Sequence, residues 1–173
     1  SKALLQSSEH YEHAAHHFAD HGIGVQGLSL DVGRMLARKD TVVKQNNDGI
    51  LYLFKKNKVT FFHGRGSFVK AGADGYEIAV SAPANESVVG KHIIVATGAR
   101  PRELPDAMPD GQRILNWKQV WNLTELPEHL VVIGSGVTGA EFAGAFTALG
   151  VEVTLVSSRD RILPTQDPDA ADV

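Results

Sequence analysis

The sequence predicts an α/β protein with doubly wound parallel sheets and a small antiparallel β-meander. An apolar run at residues 130–133 leads into a glycine-rich turn, a helical pattern and a second apolar run at residues 151–156. Two earlier segments, residues 1–20 and 31–58, carry apolar residues at helical spacing. Short β-branched and aromatic runs alternate with polar turns between residues 59 and 96, which favours antiparallel strands.

Composition excludes several classes of protein and site. The chain has 173 residues, of which 43% are apolar and 21% charged, and its net charge is −3. That charge gives no broad attraction to nucleic acid, and no apolar run reaches the ~20 residues of a membrane span. The opening residues lack the layout of a signal peptide. Because cysteine is absent, the sequence excludes disulfides and thiolate catalysis within the chain, and we expect a cytoplasmic protein.

The N-terminal third is predicted to be helical. One helix covers residues 1–20, and a longer helix covers residues 31–58, with Asp31 as its N-terminal cap. His13 and His17 are four residues apart, a spacing that can share a metal ion. The alternative is a polar helix face, which we prefer, and the sequence therefore leads us to assign no metal site.

Residues 59–96 change to strand character, with a hairpin-turn signal at Asp74-Gly75. The predicted strands cover residues 59–62, 68–69, 76–80, 87–89 and 91–96, the last of them buried. A proline-containing connection over residues 97–127 follows, and a short helix in it carries Trp117 and Trp121. We predict that these two indoles pack against apolar neighbours, and that a domain boundary lies in this connection.

Residues 134–139 have the spacing of a dinucleotide-binding turn between a strand and a helix. Gly134 permits a sharp turn, Gly136 lets a pyrophosphate approach the backbone, and Gly139 lets the helix pack closely on the strand. The first amides of the helix would then face the phosphates. The alternative is a glycine-rich turn in an ordinary α/β domain. The flanking strands and helix make that alternative the less favoured interpretation.

Further positions bear on which nucleotide is bound. Glu141 lies near the helix start, where the helix dipole favours a carboxylate. The place where a carboxylate would bond the ribose hydroxyls and select NAD holds Ser157, followed by Ser158 and Arg159. Serine can donate to a phosphate and arginine can pair with one, so we expect NADP to be accepted at least as well as NAD. The alternative is that Arg159 and Arg161 are solvated loop charges.

Five segments together have an order and spacing found in one family. They are Ser1-Lys2-Ala3-Leu4-Leu5, His63-Gly64-Arg65-Gly66, the run from Ile93 to Pro101, Gly134 to Glu141, and Arg161-Ile162-Leu163-Pro164. This combination resembles the flavoprotein disulfide reductases, the pyridine nucleotide-disulfide oxidoreductases that bind two dinucleotides. The resemblance implies FAD- and NAD(P)-binding, Rossmann-like domains that are incomplete at both ends. Residues 1–120 would be a partial FAD-binding domain, and residues 121–173 the start of an NAD(P)-binding domain.

The resemblance also implies which residues contact cofactors. Lys2 is similar to the lysine near the flavin, and Glu141 to the carboxylate beside nicotinamide and flavin. Backbone positions similar to those that contact FAD are Gly66, Thr97, Gly98 and Ala99. Positions similar to the pyridine-nucleotide turn are Gly134, Ser135, Gly136, Val137, Thr138 and Gly139. Ser157 stands where the family has a ribose-binding acid, so strict use of NAD is not expected, and Ser158 and Arg159 complete the cofactor-binding set.

The activity that the resemblance implies for the intact enzyme is hydride transfer between NAD(P)(H) and FAD, with electrons exchanged through a redox disulfide with dihydrolipoamide. The family's cysteine pair precedes the segment at Ser1, so no residue of this chain is assigned as catalytic. Residues from about 102 onward are closer to members that reduce quinones with NAD(P)H, which is one alternative. A noncatalytic nucleotide-binding module is another. The intact protein is expected to be a homodimer, and docking to a 2-oxoacid dehydrogenase complex is the expected partnership.

By the same resemblance the chain is expected to be an internal fragment. In the family, the first FAD-binding glycine turn lies upstream of the serine-lysine segment, and a second FAD motif and the dimer domain lie downstream. We therefore expect an exposed strand edge or an uncovered apolar sheet face. We also expect the chain alone to retain flavin weakly or not at all.

Overall fold

The computed structural model of the chain describes residues 1–171, which form an α/β structure. The helices are α1 (Lys2–His16), a 3₁₀ helix (Phe18–His21), α2 (Val32–Lys56), α3 (Trp117–Val120), α4 (Val137–Ala148) and α5 (Pro168–Ala171). The strands are β1 (Gly66–Gly72), β2 (Gly75–Val80), β3 (Glu86–Gly90), β4 (His129–Ile133) and β5 (Glu152–Val156). The predicted fold class, with parallel strands and an antiparallel meander, is confirmed.

The chain forms two compact units. One unit consists of Ser1–Val43 together with the chain from Pro101 onward, and the other consists of Lys44–Arg100. These are units of packing, whereas the predicted division at residue 120 concerns which cofactor each part binds. That division stays a prediction.

The first unit is built on the predicted strand-helix-strand segment. Strands β4 and β5 pair in parallel, from His129 beside Glu152 to Ile133 beside Val156. Alternate side chains of both strands point to α4, because successive residues of a strand face opposite sides of the sheet. The core that results contains the buried residues Phe142, Phe146 and Val151, with Val120, Trp121, Leu123, Leu126, Leu130 and Val153 packed against them.

Trp121 confirms the packing role predicted for it. Its ring lies against that of Phe142, with 4.3 Å between the ring centroids. Trp117 differs, because 40% of it is exposed. Both lie at α3, whose start is fixed by the Asn116 side chain accepting from the amides of Lys118 and Gln119. The first residue of this short helix is therefore exposed, while the residue that caps its C-terminus packs on the core.

Helix α2 has the start and the end that local chemistry favours. The Asp31 carboxylate accepts from the Arg34 amide at 2.9 Å, which confirms the predicted cap of α2. The helix ends at Lys56 because the amide of Val59 bonds the Phe54 carbonyl at 2.9 Å, in a Schellman-type closure. Helix α1 packs against α4 through Leu4 and Ser8, which are both buried.

The second unit contains the predicted meander. Strands β1, β2 and β3 pair antiparallel in that order, which confirms the strands predicted at residues 68–69, 76–80 and 87–89. Gly72 pairs with Gly75, so the two-residue loop is Ala73-Asp74, one position earlier than predicted. On one face, the Glu77 carboxylate accepts from the Ser87 hydroxyl at 2.8 Å and pairs with Lys70 at 3.2 Å. These two contacts, the hydroxyl bond foremost, lower the pKa of the Glu77 carboxyl.

Two predicted strands are wrong. Residues 59–62 are not in a strand; instead Phe61 stacks between Phe54 and His63, with ring centroids 5.9 and 6.0 Å away. Residues 91–96 are also without a strand, and the predicted burial fails, since Ile94 is 90% exposed. A β-branched run forms a strand only where a neighbouring strand supplies hydrogen-bond partners. No strand within residues 1–171 pairs with either run.

The predicted uncovered apolar face is confirmed. On the side of the β4-β5 sheet away from α4, Val131 is 53% exposed, Ile133 66% and Val156 44%. These apolar side chains are thus only partly covered by the unit. Among residues 1–171, no helix combines the length and the apolar character needed to cross a bilayer.

Replacement of Phe146 by alanine should destabilise the first unit. Phe146 is only 7% exposed and belongs to the core, so the change leaves a cavity and should lower the free energy of unfolding by about 3–5 kcal/mol. Urea unfolding followed by circular dichroism measures this effect. The control Ile94→Ala, at a 90% exposed side chain, should stay within about 0.5 kcal/mol of wild type. Equal losses in the two variants would contradict the assigned core.

Candidate functional site

The glycine turn closes the carboxyl end of β4 and begins α4. Gly134 has φ +113°, a backbone conformation that side chains rarely adopt. Its amide donates to the Val156 carbonyl at 2.9 Å, which ties the turn to the end of β5. Gly136 is the N-cap of α4, with φ −75° and ψ 179°. The turn thus lies at the carboxyl edge of two parallel strands, where open α/β sheets bind ligands.

The amides that follow are available to a ligand. The first backbone bond of α4 runs from the Ala140 amide to the Gly136 carbonyl, at 2.9 Å. Among the described residues, none of the amides from Ser135 to Gly139 donates to a carbonyl or side chain. Unpaired amides at a helix start carry partial positive charge, and together with the helix dipole they favour an anion. This arrangement suits a diphosphate.

Gly139 and Gly136 are both needed at the start of α4, but for opposite reasons. A Cβ on Gly139 would overlap the Gly134 carbonyl oxygen and lie 3.0 Å from the carbonyl carbon, so the helix packs on the strand only with glycine there. A Cβ on Gly136 would meet nothing within 4 Å. The space that Gly136 leaves open is therefore not filled by the described chain, as a bound diphosphate requires.

A cavity of about 480 Å³ lies beside the turn, in the first unit. Its wall includes Gly134, Gly136 and Thr138 from the turn. Across from these residues it is lined by the connection between Pro101 and Trp117. The volume is in the range of ligand pockets, roughly 300–1,000 Å³. That connection contributes Arg102, Arg113 and Trp117 to the lining of the cavity. The sequence analysis did not identify these three as site residues.

Ser157, at the predicted ribose position, is tied to the glycine turn. Its Oγ lies 2.7 Å from the Oγ of Ser135, which is 5% exposed. The Ser157 hydroxyl also donates to the Arg159 carbonyl at 2.8 Å and accepts from the Arg159 amide at 3.0 Å. The Leu163 amide donates to the Ser135 carbonyl at 2.7 Å. The identity of residue 163 did not predict this backbone contact.

Lys2 and Glu141, which the sequence resemblance placed at the same cofactors, form an ion pair across 139 positions of sequence. Packing of α1 on α4 brings them together. The Lys2 side chain is 82% exposed and that of Glu141 is 23% exposed. The hydrogen bond from Lys2 lowers the pKa of the Glu141 carboxyl, and this outweighs the opposite effect of its partial burial.

The residues predicted to contact FAD lie in the second unit. Gly66 begins β1, next to Arg65, whose carbonyl accepts from the Ser81 amide at 3.1 Å. Thr97, Gly98 and Ala99 are exposed and follow the irregular run at residues 91–96. Gly98 has φ +80°, and a Cβ on it would meet no atom within 4 Å, so only its backbone conformation requires glycine. Their role as FAD contacts stays a prediction.

The histidine pair of α1 has carboxylate neighbours. The Nε2 of His17 lies 3.0 Å from a Glu12 oxygen, and the Nε2 of His13 lies 3.9 Å from the other Glu12 oxygen. The two imidazole rings meet edge to face, with 5.4 Å between centroids. Within residues 1–171, no group of three or more histidine, cysteine or carboxylate side chains is arranged to hold a metal ion.

Comparison with known proteins places this geometry in a family context. The sequence profile of the family described as pyridine nucleotide-disulphide oxidoreductase matches residues 1–173. The chain is 40% identical over 171 residues to a dihydrolipoyl dehydrogenase of Cupriavidus necator, covering 99% of the chain and 35% of that relative. It is also 40% identical over 153 residues to an NAD(P)H dehydrogenase (quinone) of Mycobacterium tuberculosis, covering 86% of the chain and 31% of that relative.

A solved structure agrees. The crystal structure of LpdA from Mycobacterium tuberculosis superposes with a TM-score of 0.83 at 37% sequence identity, covering 98% of this chain and 37% of that one. The chain therefore spans about a third of the length of the curated relatives that it matches.

Replacement of Gly139 by alanine should disrupt the turn. The new methyl group would overlap the Gly134 carbonyl, so α4 must shift, and the free energy of unfolding should fall by about 1–3 kcal/mol. Gly144→Ala is a matched control in the same helix, because its Cβ would meet nothing within 4 Å. That change should be neutral or stabilising by up to ~1 kcal/mol. Urea denaturation measures the free energy of unfolding of both variants. If Gly144→Ala lost more stability than Gly139→Ala, the packing of α4 on β4 described here would be wrong.

Replacement of Glu141 by glutamine should give a pH-dependent loss of stability. The folded pKa of this carboxyl lies below its ordinary value of 4.5, so the ion pair stabilises the fold above that pH. Its contribution falls as the pH drops from there through the folded pKa. At neutral pH we expect a loss of about 1 kcal/mol or less, since Lys2 is largely exposed.

Thermal unfolding across an acidic pH series measures this difference, which should vanish at the acidic end. Glu152→Gln is the control, because Glu152 is an exposed carboxylate without an ion pair in the described part of the chain. A gap between wild type and Glu141→Gln that stayed constant with pH would show that the pair with Lys2 is not formed.

Proposed function

The chain belongs to the pyridine nucleotide-disulphide oxidoreductase family, and from that premise we propose that it carries the pyridine-nucleotide half of an FAD-dependent oxidoreductase. In this proposal the intact protein transfers hydride between NAD(P)(H) and FAD. The nicotinamide and flavin supply the redox chemistry when bound, and the chain binds and orients them. Residues 1–120 would belong to the FAD-binding domain, and residues 121–173 would begin the NAD(P)-binding domain.

The observation that carries the proposal is the set of free amides from Ser135 to Gly139 beside a cavity of ligand size. These amides, the open position at Gly136 and the start of α4 would hold the diphosphate of the pyridine nucleotide. Val137 and Thr138 contribute backbone at the same helix start. Either NAD or NADP fits these backbone contacts, since both nucleotides carry the same diphosphate.

The ion pair of Lys2 and Glu141 supports a second part of the proposal. By resemblance, both residues would lie where nicotinamide and flavin meet, and the structure brings them into contact. A carboxylate whose pKa is lowered stays ionised at neutral pH and keeps the neighbouring ammonium group in one position. The pair would thus hold a fixed charge arrangement next to the cofactors. In the same proposal, Gly66, Thr97, Gly98 and Ala99 present backbone to FAD.

The second redox substrate is proposed to be the lipoamide/dihydrolipoamide couple, reached through a redox disulfide outside this chain. Oxidation of dihydrolipoamide would deliver two electrons by way of FAD to NAD(P)⁺, and in the reverse direction lipoamide would be reduced by NAD(P)H. This follows the similarity to a dihydrolipoyl dehydrogenase over 99% of the chain. A quinone is the second candidate, favoured by the equal identity to an NAD(P)H dehydrogenase (quinone). With the first candidate we also propose that the intact protein is a homodimer. It would dock to a 2-oxoacid dehydrogenase complex and would be located in the cytoplasm.

Replacement of Gly136 by valine tests the diphosphate site in the intact gene product. Gly136 has an ordinary φ and open space around its Cβ position, so the fold should be retained. The added side chain would fill the place of the diphosphate, and we expect the dissociation constant for NAD(P)H to rise roughly tenfold or more. Calorimetric titration measures this, with Gly144→Ala as the matched variant that should bind like wild type.

The same preparation distinguishes the candidate functions. A flavin spectrum bleached by NAD(P)H without oxygen would support the oxidoreductase. Reduction of NAD(P)⁺ by dihydrolipoamide, or oxidation of NAD(P)H by a quinone, would identify the second redox substrate. Nucleotide binding without flavin would instead favour a noncatalytic module. Wild-type affinity in Gly136→Val would overturn the assignment of the turn.

A further inference from the structure

The start of α1 lacks the local features that usually hold the start of a helix. Its N-cap, Ser1, makes no side-chain bond to the first amides, and the first turn contains no acidic residue. The first helical residue is instead Lys2, whose positive charge is disfavoured by the helix dipole at this end. Contacts with other elements must therefore keep the first turns of α1 in place.

Arg38 of α2 contacts three groups on the first two turns of α1. Its Nη1 donates to the Ala3 carbonyl at 2.9 Å and lies 3.4 Å from the Ser7 hydroxyl, and its Nη2 donates to the side-chain oxygen of Gln6 at 2.5 Å. Residues three and four apart lie on one side of a helix, so the guanidinium spans one side of α1. In the described part of the chain, no other hydrogen bond joins α1 to α2.

The shape of the guanidinium suits this set of acceptors. Its N–H groups form a planar fork, so two nitrogens can meet the Ala3 carbonyl and the Gln6 side chain at the same time. The Ser7 hydroxyl donates to the Ala3 carbonyl at 3.0 Å, so it is an acceptor toward Arg38. An ammonium group is a single point charge and would hold only one of these acceptors in a defined direction. Arginine at position 38 therefore fixes the start of α1 at more than one point.

The ion pair of Lys2 and Glu141 is the second anchor of the same helix start. Lys2 directly precedes Ala3, whose carbonyl Arg38 holds. The Lys2 side chain is 82% exposed, so it has little packing that would restrain it apart from the pair itself. An exposed lysine loses rotamer entropy when it is held in one geometry, which offsets part of the attraction. The geometry of the pair thus depends on how firmly the backbone beside Lys2 is held.

We propose that Arg38 is a positioning residue, which holds the start of α1 so that Lys2 stays in contact with Glu141 beside the cofactors. The inference rests on the proposed function, in which this pair lies where nicotinamide and flavin meet. Arg38 acts through the Ala3 carbonyl and the Gln6 side chain and has no contact of its own with a cofactor. Without it the first turn of α1 opens more often, and the ammonium group no longer keeps one position.

Arg34 provides a matched control one turn earlier in α2. Its amide is bonded to the Asp31 carboxylate, but within residues 1–171 its guanidinium makes no hydrogen bond or ion pair. Arg34 and Arg38 are both exposed, so replacing either by alanine removes the same charge and the same side chain from the same helix. Only Arg38→Ala also removes contacts with α1.

Hydrogen exchange of backbone amides, followed by mass spectrometry of the intact gene product, tests the anchoring. In Arg38→Ala, a peptide covering residues 4–10 should exchange roughly threefold to tenfold faster than in wild type, because loss of the bonds that hold a helix end favours local opening. Arg38→Lys should lie between the two, and Arg34→Ala should exchange like wild type. Wild-type exchange in Arg38→Ala would overturn the inference.

Anaerobic stopped-flow reduction of the flavin by NAD(P)H tests whether Arg38 acts through Lys2. Arg38→Ala should lower the limiting rate of reduction about threefold to tenfold, whereas the dissociation constant for NAD(P)H, set at the glycine turn, should stay within about twofold. Lys2→Met should lower the rate at least as much. Arg38→Ala added to Lys2→Met should then change the rate by less than about twofold, because both changes act on the same ammonium group. Losses that multiply in the double variant would show that Arg38 acts independently of Lys2 and would overturn its positioning role.

The outcomes separate this inference from the proposed function. If NAD(P)H does not reduce the flavin of wild type, the proposed function and the role of Arg38 toward the cofactors are both overturned. Normal reduction of wild type, together with wild-type rates in Arg38→Ala, overturns only the role of Arg38 and leaves the proposed function in place.

Discussion

The close approach of α4 to the end of β4 is the constraint on which the site depends. The first turn of the helix lies against the Gly134 carbonyl, at a separation that excludes any side chain on Gly139. Because the helix begins there, its unpaired amides lie at the carboxyl edge of the strands and beside the cavity. A helix only slightly farther out would require no glycine, but it would also withdraw these amides from the strand ends. Packing and anion binding are thus set by one contact.

Ser135 connects that contact to the second strand. Its amide is one of the free donors, while its hydroxyl and carbonyl bond Ser157 and Leu163. The residue is buried, so these bonds form away from bulk water, where losing one partner is most unfavourable. The turn and the segment after β5 are therefore joined through one buried residue.

The features that the sequence predicted well are those encoded locally. The glycine spacing and the apolar runs of β4 and β5 depend on neighbouring residues, and each was predicted from its own segment. Residues 91–96 failed because strand formation depends on a partner strand elsewhere in the chain. The contact of Ser157 with Ser135 also escaped prediction, because it joins two hydroxyls 22 positions apart. The contact of Lys2 with Glu141 spans 139 positions, and only the family resemblance placed both residues at the same cofactors.

The residues of this chain can determine only some properties of the whole protein. Relatives named for dihydrolipoyl and for quinone substrates are equally identical to this chain, so the segment is shared by proteins named for different substrates. The chain also has no cysteine, and a thiol step cannot occur in it. At the βαβ unit, the residue after β5 bears on the choice of nucleotide, because a carboxylate there favours NAD and an arginine nearby favours NADP. In this chain that residue is Ser157, whose hydroxyl contacts the Ser135 hydroxyl and the backbone of Arg159 and so ties the end of β5 to the glycine turn.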